Sequence, residues 1–152
     1  KSMVQEVEGH FKKRSDAVVT ELYCGAGFFT VAISPHVQKI YACEENPKAI
    51  QFAKTHHAAK NIEWISARVE DYKMPQQTTD VLLDPPRAGL HKSVTDQLLK
   101  LNPRSISYVS CDPASFSRDL KLLCQNYKVQ RLVLMDLFSQ TYHFETIAQL
   151  VR

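Results

Sequence analysis

Hydrophobic positions along the chain switch repeatedly between helical and strand spacing. In residues 3–13, Val4, Val7 and Phe11 recur at helical intervals and predict an amphipathic helix. The run Val18-Val19-Thr20-Glu21-Leu22-Tyr23 predicts a buried strand that stops at Cys24-Gly25. Gly25-Ala26-Gly27 then opens a helical stretch ending near Pro35, and residues 39–43 form a second strand closed by Glu44-Glu45. Asn46 before Pro47 is an N-cap followed by proline at the first helical position, so a helix starts there and runs to about Ala59. Further strands are expected at 62–65, 80–83 and 105–110, with helices at 92–101 and 114–124 following the last two. Strand–helix alternation of this kind requires a parallel sheet covered on both faces. Residues 129–135 and 144–151 are strands joined by only eight residues without helical pattern, too few for a crossover between parallel neighbours. The expectation is therefore an α/β, doubly wound, Rossmann-like, seven-stranded and mostly parallel sheet whose last strand runs antiparallel.

Such a sheet binds ligands at the carboxyl ends of its parallel strands. Gly25 and Gly27 follow the first strand there, Glu44 the second, Asp84 the fourth and Cys111 the fifth. The amino end of an antiparallel last strand lies on the same rim and adds Glu145. Each signal is modest alone. The glycine turn lets a backbone approach a ligand and aims helix amides at it, and Glu44 lies about 20 positions on, where an acidic side chain holds ribose hydroxyls. Thr30 occupies the place of the third glycine of a dinucleotide fingerprint, which favours an adenosyl ligand without a pyrophosphate. Asp84-Pro85-Pro86-Arg87 is a carboxylate held by a stiff turn. Arg87 replaces the aromatic residue that loops of this type use to stack a base during amine methylation. Cys111 precedes a predicted helix, whose dipole is expected to lower its thiol pKa and favour the nucleophilic thiolate. Phe138, Tyr142 and Phe144 are candidates for stacking on an extruded base.

Composition changes this picture little. The chain has 152 residues, one domain's worth, with 44% hydrophobic and 23% charged residues, which excludes a disordered or collagen-like chain. A net charge of +3 permits nucleic-acid binding without arguing for it. Cys24, Cys43, Cys111 and Cys124 form no C-x-x-C pair, so no metal site is expected; reduced thiols in a cytoplasmic protein fit best. Cys24 and Cys43 are expected as small buried hydrophobes, and Cys124 on the apolar face of a helix. No apolar run approaches a membrane span. The first residue is lysine rather than methionine, which reads as a processed chain or a fragment.

Taken together, the segments ELYCGAGFFT, CEEN, LDPPRAGL, YVSCDPASFSRDL and DLFSQTYHFE, in this order, resemble the RNA uracil-5 methyltransferases. The resemblance runs from residue 21 to the end and implies an S-adenosylmethionine-dependent transfer of a methyl group to carbon 5 of a uridine in ribosomal or transfer RNA. It makes Cys111 the nucleophile that adds to carbon 6 and Glu145 the base that removes the carbon 5 proton. Asp84 would orient the uracil where cofactor and base meet. Glu21, Gly25, Gly27 and Glu44, with Asp84, would form the cofactor site. Glu21 stands where the family often has Asp. Asp112 stands where it has Asn, which is expected to raise the thiol pKa. The family's Phe-Gln segment before the first helix and its N-terminal RNA-binding domain, sometimes with an iron-sulfur cluster, have no counterpart here. The chain thus reads as a single catalytic domain over 1–152, the C-terminal part of a longer, monomeric enzyme. Two other readings stay open: methylation of another RNA nucleophile such as cytosine carbon 5, and a cofactor- or RNA-binding module without catalysis.

Overall fold

The computed structural model describes residues 2–136 and 144–152. Its seven strands are β1 (Arg14–Leu22), β2 (Val37–Glu44), β3 (Ile62–Ser66), β4 (Asp80–Leu83), β5 (Ser105–Ser110), β6 (Lys128–Met135) and β7 (Glu145–Val151). They form one sheet in the order β3-β2-β1-β4-β5-β7-β6. β7 is antiparallel to both neighbours, and the pairs among the first five strands are parallel. The expected sheet and its reversed last strand are therefore present.

Helices α1 (Met3–Phe11), α2 (Phe28–Ile33) and α3 (Pro47–His56) cover one face, whose core includes Val7, Phe11, Ile33, Ile40, Val109 and Ile147. On the other face, α4 (Lys92–Leu101) and α5 (Pro113–Leu123) bury Leu83, Val94, Leu98, Tyr108, Phe116 and Leu123. The alternation of side chains along β5 feeds both cores, with Tyr108 on one side and Val109 on the other, which is why this strand reads as an unbroken buried run.

Local chemistry sets the boundaries. Ser2 and Gln5 form a reciprocal capping box at the start of α1. The Asn46 side chain accepts the amides of Lys48 and Ala49 ahead of Pro47, as its sequence position predicts. α3 stops at His56, three residues short of the expected end. The chain turns back there through Asn61, whose amide donates to the carbonyls of Ser34 and Val37. β1 begins four residues earlier than expected, at Arg14, which pairs with Val37 across an irregularity in register. The Arg14 guanidinium donates to the buried Asp80 carboxylate and to Ser105 Oγ, and this pairing carries residue 14 into the foot of the sheet. His10 meets the same Ser105 hydroxyl at 3.0 Å and ties α1 to that end.

Candidate active site

The loop after β1 is built on three left-handed residues in alternation: Tyr23 (φ 65°), Gly25 (φ 54°) and Gly27 (φ 90°). A tyrosine in that conformation is strained, and such strain is held where surrounding structure over-determines it. Here Cys24 N–H donates to the Cys43 carbonyl and Gly27 N–H to that of Cys24. Gly25 has open space where a Cβ would point, whereas a Cβ on Gly27 would overlap the Trp64 ring. Gly25 thus leaves room on the ligand side, and Gly27 is required by packing from β3.

Glu44, at the end of β2, accepts the Gly25 amide on one carboxylate oxygen (3.2 Å) and the Asn46 amide on the other (2.8 Å). It stands beside a cavity of about 290 Å³ lined also by Tyr23, Val69, Glu70, Asp84 and Pro86. Of these, Tyr23 and Pro86 belong to motifs noted in the sequence without a site role, and Val69 and Glu70 carry no sequence signal. Their convergence follows from strand order, since the ends of β3, β2, β1 and β4 lie side by side. A larger groove of about 580 Å³, between residues 70–76 and α4, holds none of the candidate site residues.

Glu21 is buried under the glycine loop, and its Oε2 has no hydrogen-bond partner. Burial pushes its carboxyl up to about 8, opposed by Thr30 and reinforced by Asp84. Asp84 is itself pushed up to about 7, by burial first and by Glu145 second. An orphaned buried carboxylate, a carboxylate at the ribose position and an open backbone cradle suit a cationic adenosyl ligand. A cation supplies the counter-charge that Glu21 and Asp84 lack, and Glu44 can accept a diol.

On the neighbouring rim, β5 and β7 pair with Ser110 against Thr146. Cys111 and Glu145 are the next residues beyond that last pair, on the same rim, and the Glu145 charge acts on the Cys111 thiol. Burial raises the Cys111 thiol above its ordinary value, Glu145 and Asp84 raise it further, and a backbone hydrogen bond and Arg87 pull it down. This reverses the direction expected from the helix start: burial first, then Glu145, sets the sign. Asp112 is not the source of the increase. Its carboxylate caps α5 by accepting the Ser115 amide at 2.8 Å, and that bond holds its own pKa low. Burial also raises Glu145. Arg87, noted in the sequence only for not being aromatic, acts on both Cys111 and Asp112 and belongs to the site. Cys24 and Cys43 are buried as expected, but Cys124 is exposed, because it is the C-cap of α5 rather than part of its packed face. Phe138 and Tyr142, with His143 and most of the segment before Glu145, lie outside the described residues. Among the described residues no group of His, Cys, Asp or Glu could hold a metal ion, and no helix is long and apolar enough to cross a membrane.

A doubly wound sheet with a reversed seventh strand between the fifth and sixth, and its ligand loop after β1, is the Rossmann-like fold of the S-adenosylmethionine-dependent methyltransferases. The chain belongs to the tRNA (uracil-5-)-methyltransferase family, whose pattern it matches over residues 2–72 and 66–152. It is similar to the Pyrococcus abyssi tRNA (uracil-54, C5)-methyltransferase, solved in complex with S-adenosyl-L-homocysteine. That likeness has a TM-score of 0.87 at 30% identity and covers 98% of this chain and 37% of that one. A precorrin-6y C5,15-methyltransferase of Geobacter metallireducens shares the fold at a TM-score of 0.77 and 15% identity, over 100% of this chain and 89% of its own. Among curated relatives, an uncharacterized RNA methyltransferase of Thermotoga maritima is 36% identical over 145 residues, 91% of this chain and 33% of that protein. The chain spans about a third of the length of such relatives.

Proposed function

We propose that this chain is the catalytic part of an S-adenosylmethionine-dependent enzyme that methylates carbon 5 of a uridine in transfer or ribosomal RNA through a covalent cysteine adduct. The observation that supports the reading is the β5–β7 pairing, which ends at Ser110 and Thr146, one residue short of Cys111 and of Glu145, with the charges of Glu145 and Asp84 both acting on the Cys111 thiol. Family membership and the likeness to the Pyrococcus abyssi enzyme support it.

Carbon 5 of uracil is too weakly nucleophilic to be methylated directly. The Cys111 thiolate adds to carbon 6, forming an S–C bond while the ring electrons move onto carbon 5 and the carbon 4 oxygen. Glu44, Glu21 and the loop at Gly25 and Gly27 would hold S-adenosylmethionine, which would supply the methyl group for carbon 5, leaving as S-adenosylhomocysteine. The Glu145 carboxylate removes the proton from carbon 5, the ring double bond re-forms, and the S–C bond breaks to return the thiolate. A raised Glu145 pKa suits this role, since a more basic carboxylate is the better acceptor. Asp84, ionised beside a bound sulfonium, can accept a hydrogen bond from the uracil N3–H where cofactor and base meet. The base must leave its stack to reach the rim.

The test uses the full-length native protein with S-adenosylmethionine and RNA containing 5-fluorouridine, where fluorine blocks the final proton removal. A complex that survives a denaturing gel is expected, and Cys111→Ser should abolish it. Glu145→Gln should accumulate a methylated adduct on ordinary RNA. Adduct formation on a fluorocytidine substrate alone, or cofactor binding with no adduct on any RNA, would overturn the uridine assignment.

A further inference from the structure

The reactive groups sit on two separate loops, and what holds those loops together is a buried carboxylate outside the site. Asp84 and Arg87 begin the loop 84–91 between β4 and α4, while Cys111 lies between β5 and α5. Asp119, on the second turn of α5, is 1% exposed. Its Oδ2 accepts the Leu90 amide and the Tyr108 hydroxyl, each at 2.7 Å. Its Oδ1 accepts Arg118 Nε at 3.0 Å and Nη2 at 2.8 Å. Arg118 Nη2 also donates to the Ala88 carbonyl at 2.9 Å. One carboxylate therefore grips the loop that carries Asp84 and Arg87, the strand three residues before Cys111, and the helix that starts just after it.

The loop is shaped to receive this grip. Gly89 closes a turn by donating to the Pro86 carbonyl at 2.8 Å, and it has a left-handed φ of 77°. A Cβ there would stand 2.5 Å from Asp119 Oδ2 and 2.9 Å from Ser115 Cβ. Burying a carboxylate beside Phe116 and Leu123 is costly unless its hydrogen bonds are met, and apolar packing would hold a helix to a sheet at less cost. What the carboxylate adds is a fixed distance between backbone and helix.

We propose that Asp119, with Arg118 as its partner, is a positioning residue that sets the loop 84–91 against Cys111 and so governs the covalent step rather than cofactor binding. The proposal rests on the reading of Cys111 as the nucleophile. A displacement of about 1 Å in a reacting group can cost about a hundredfold in rate.

The experiment compares Asp119→Asn, Asp119→Ala and Tyr108→Phe in the full-length native protein carrying Cys124→Ser, so that the remaining accessible thiol of this domain is Cys111. Asn keeps an acceptor for Leu90 and Tyr108 but turns a donor toward Arg118, and Tyr108→Phe removes a single bond. Both guard against a variant that fails to fold. Single-turnover adduct formation on 5-fluorouridine RNA should fall tenfold or more in Asp119→Ala and by an intermediate factor in Asp119→Asn. The S-adenosylmethionine Kd should change by a clearly smaller factor than the adduct rate, since Glu21, Glu44 and the glycine loop lie outside 84–91. The pH profile of iodoacetamide alkylation, read without RNA, should move in the variants, because Asp84 and Arg87 both act on this thiol. Unchanged adduct rates and alkylation profiles in folded variants would overturn the proposal, as would parallel loss of cofactor binding and adduct. If the alkylation profile moves while the parent protein forms no adduct, the loop placement stands and the covalent reading of Cys111 falls.

Discussion

Glu21 and Asp84 carry the largest departures among the carboxylates of the rim, and the sign of those departures makes a pH prediction. Both have folded pKa values raised above their ordinary ones, to about 8 and about 7. Their stabilising contribution is complete at pH values below the ordinary carboxylate range and is lost as pH climbs through 7 and 8. A sulfonium ligand reverses the preference, because positive charge favours the ionised acids. S-adenosylmethionine should therefore bind with release of protons and tighten between pH 6 and 8.5, by up to about tenfold per pH unit for each proton released. Calorimetry in two buffers of different ionisation enthalpy reads the proton count, and a flat affinity over that range would contradict it. Glu21→Gln should flatten the fall of Tm over the same interval. At this scale the sequence named the residues but not their states. That Glu21 is acidic and precedes a glycine loop is legible from its motif. That its Oε2 has no partner depends on how β1, β4 and α2 close around it. The Cys111 thiol likewise is raised first by burial and then by Glu145, 34 positions away, with Asp84 adding to it, none of which a local helix-dipole argument weighs.

The glycine loop and the strands beside it behave as one element. Gly27→Ala should destabilise the domain by about 1–3 kcal/mol, since alanine is strained at a φ of 90° and its methyl group would overlap the Trp64 ring. The expected loss of roughly 3–10 °C in Tm, with a shift in fluorescence of the single tryptophan, is read in one thermal melt. Gly25→Ala carries the backbone strain but meets no neighbouring atom, so it should cost less. Strands such as β4 and β5 were legible to the residue, because a run buried on both faces leaves an apolar signature with sharp ends. The beginning of β1 was not, since Arg14-Ser15-Asp16 has no strand pattern and is drawn into the sheet by long-range polar contacts, Arg14 with Asp80 and Ser105 and Asp16 with Arg104. The stretch before Pro35 read as one helix, yet α2 ends at Ile33 and tightens into a 3₁₀ turn over Ser34–His36 that contains the proline. Cys124 looked helical by periodicity, but a C-cap residue no longer faces the core.

Across the whole molecule, the edge formed by β6 differs from the rest of the sheet. Leu132 and Leu134 are 54% and 66% exposed and face the side on which α5 packs, with Val129 also exposed. An apolar edge strand presents both unpaired backbone groups and greasy side chains, a known liability for self-association. Leu132→Lys with Leu134→Lys should lower light scattering of this chain at high concentration while moving Tm by less than about 2 °C. Unchanged scattering would count against the edge as the source. The overall architecture was readable because alternation and the eight-residue link between the last two strands restrict the topology severely. The exposed edge was not, since Val129–Met135 has the apolar content of a covered strand. The order of strands also has a temporal side. β7 lies between β5 and β6, so neither neighbour can complete its pairing in this sheet until residues 145–151 have emerged from the ribosome. Throughout the preceding stretch of synthesis Cys111 is already made, but Glu145 is not. Cys111 and Glu145, the proposed nucleophile and base, are therefore brought together late in the birth of the domain, and a nascent chain that stalls before residue 145 carries the thiol without the carboxylate proposed to serve it.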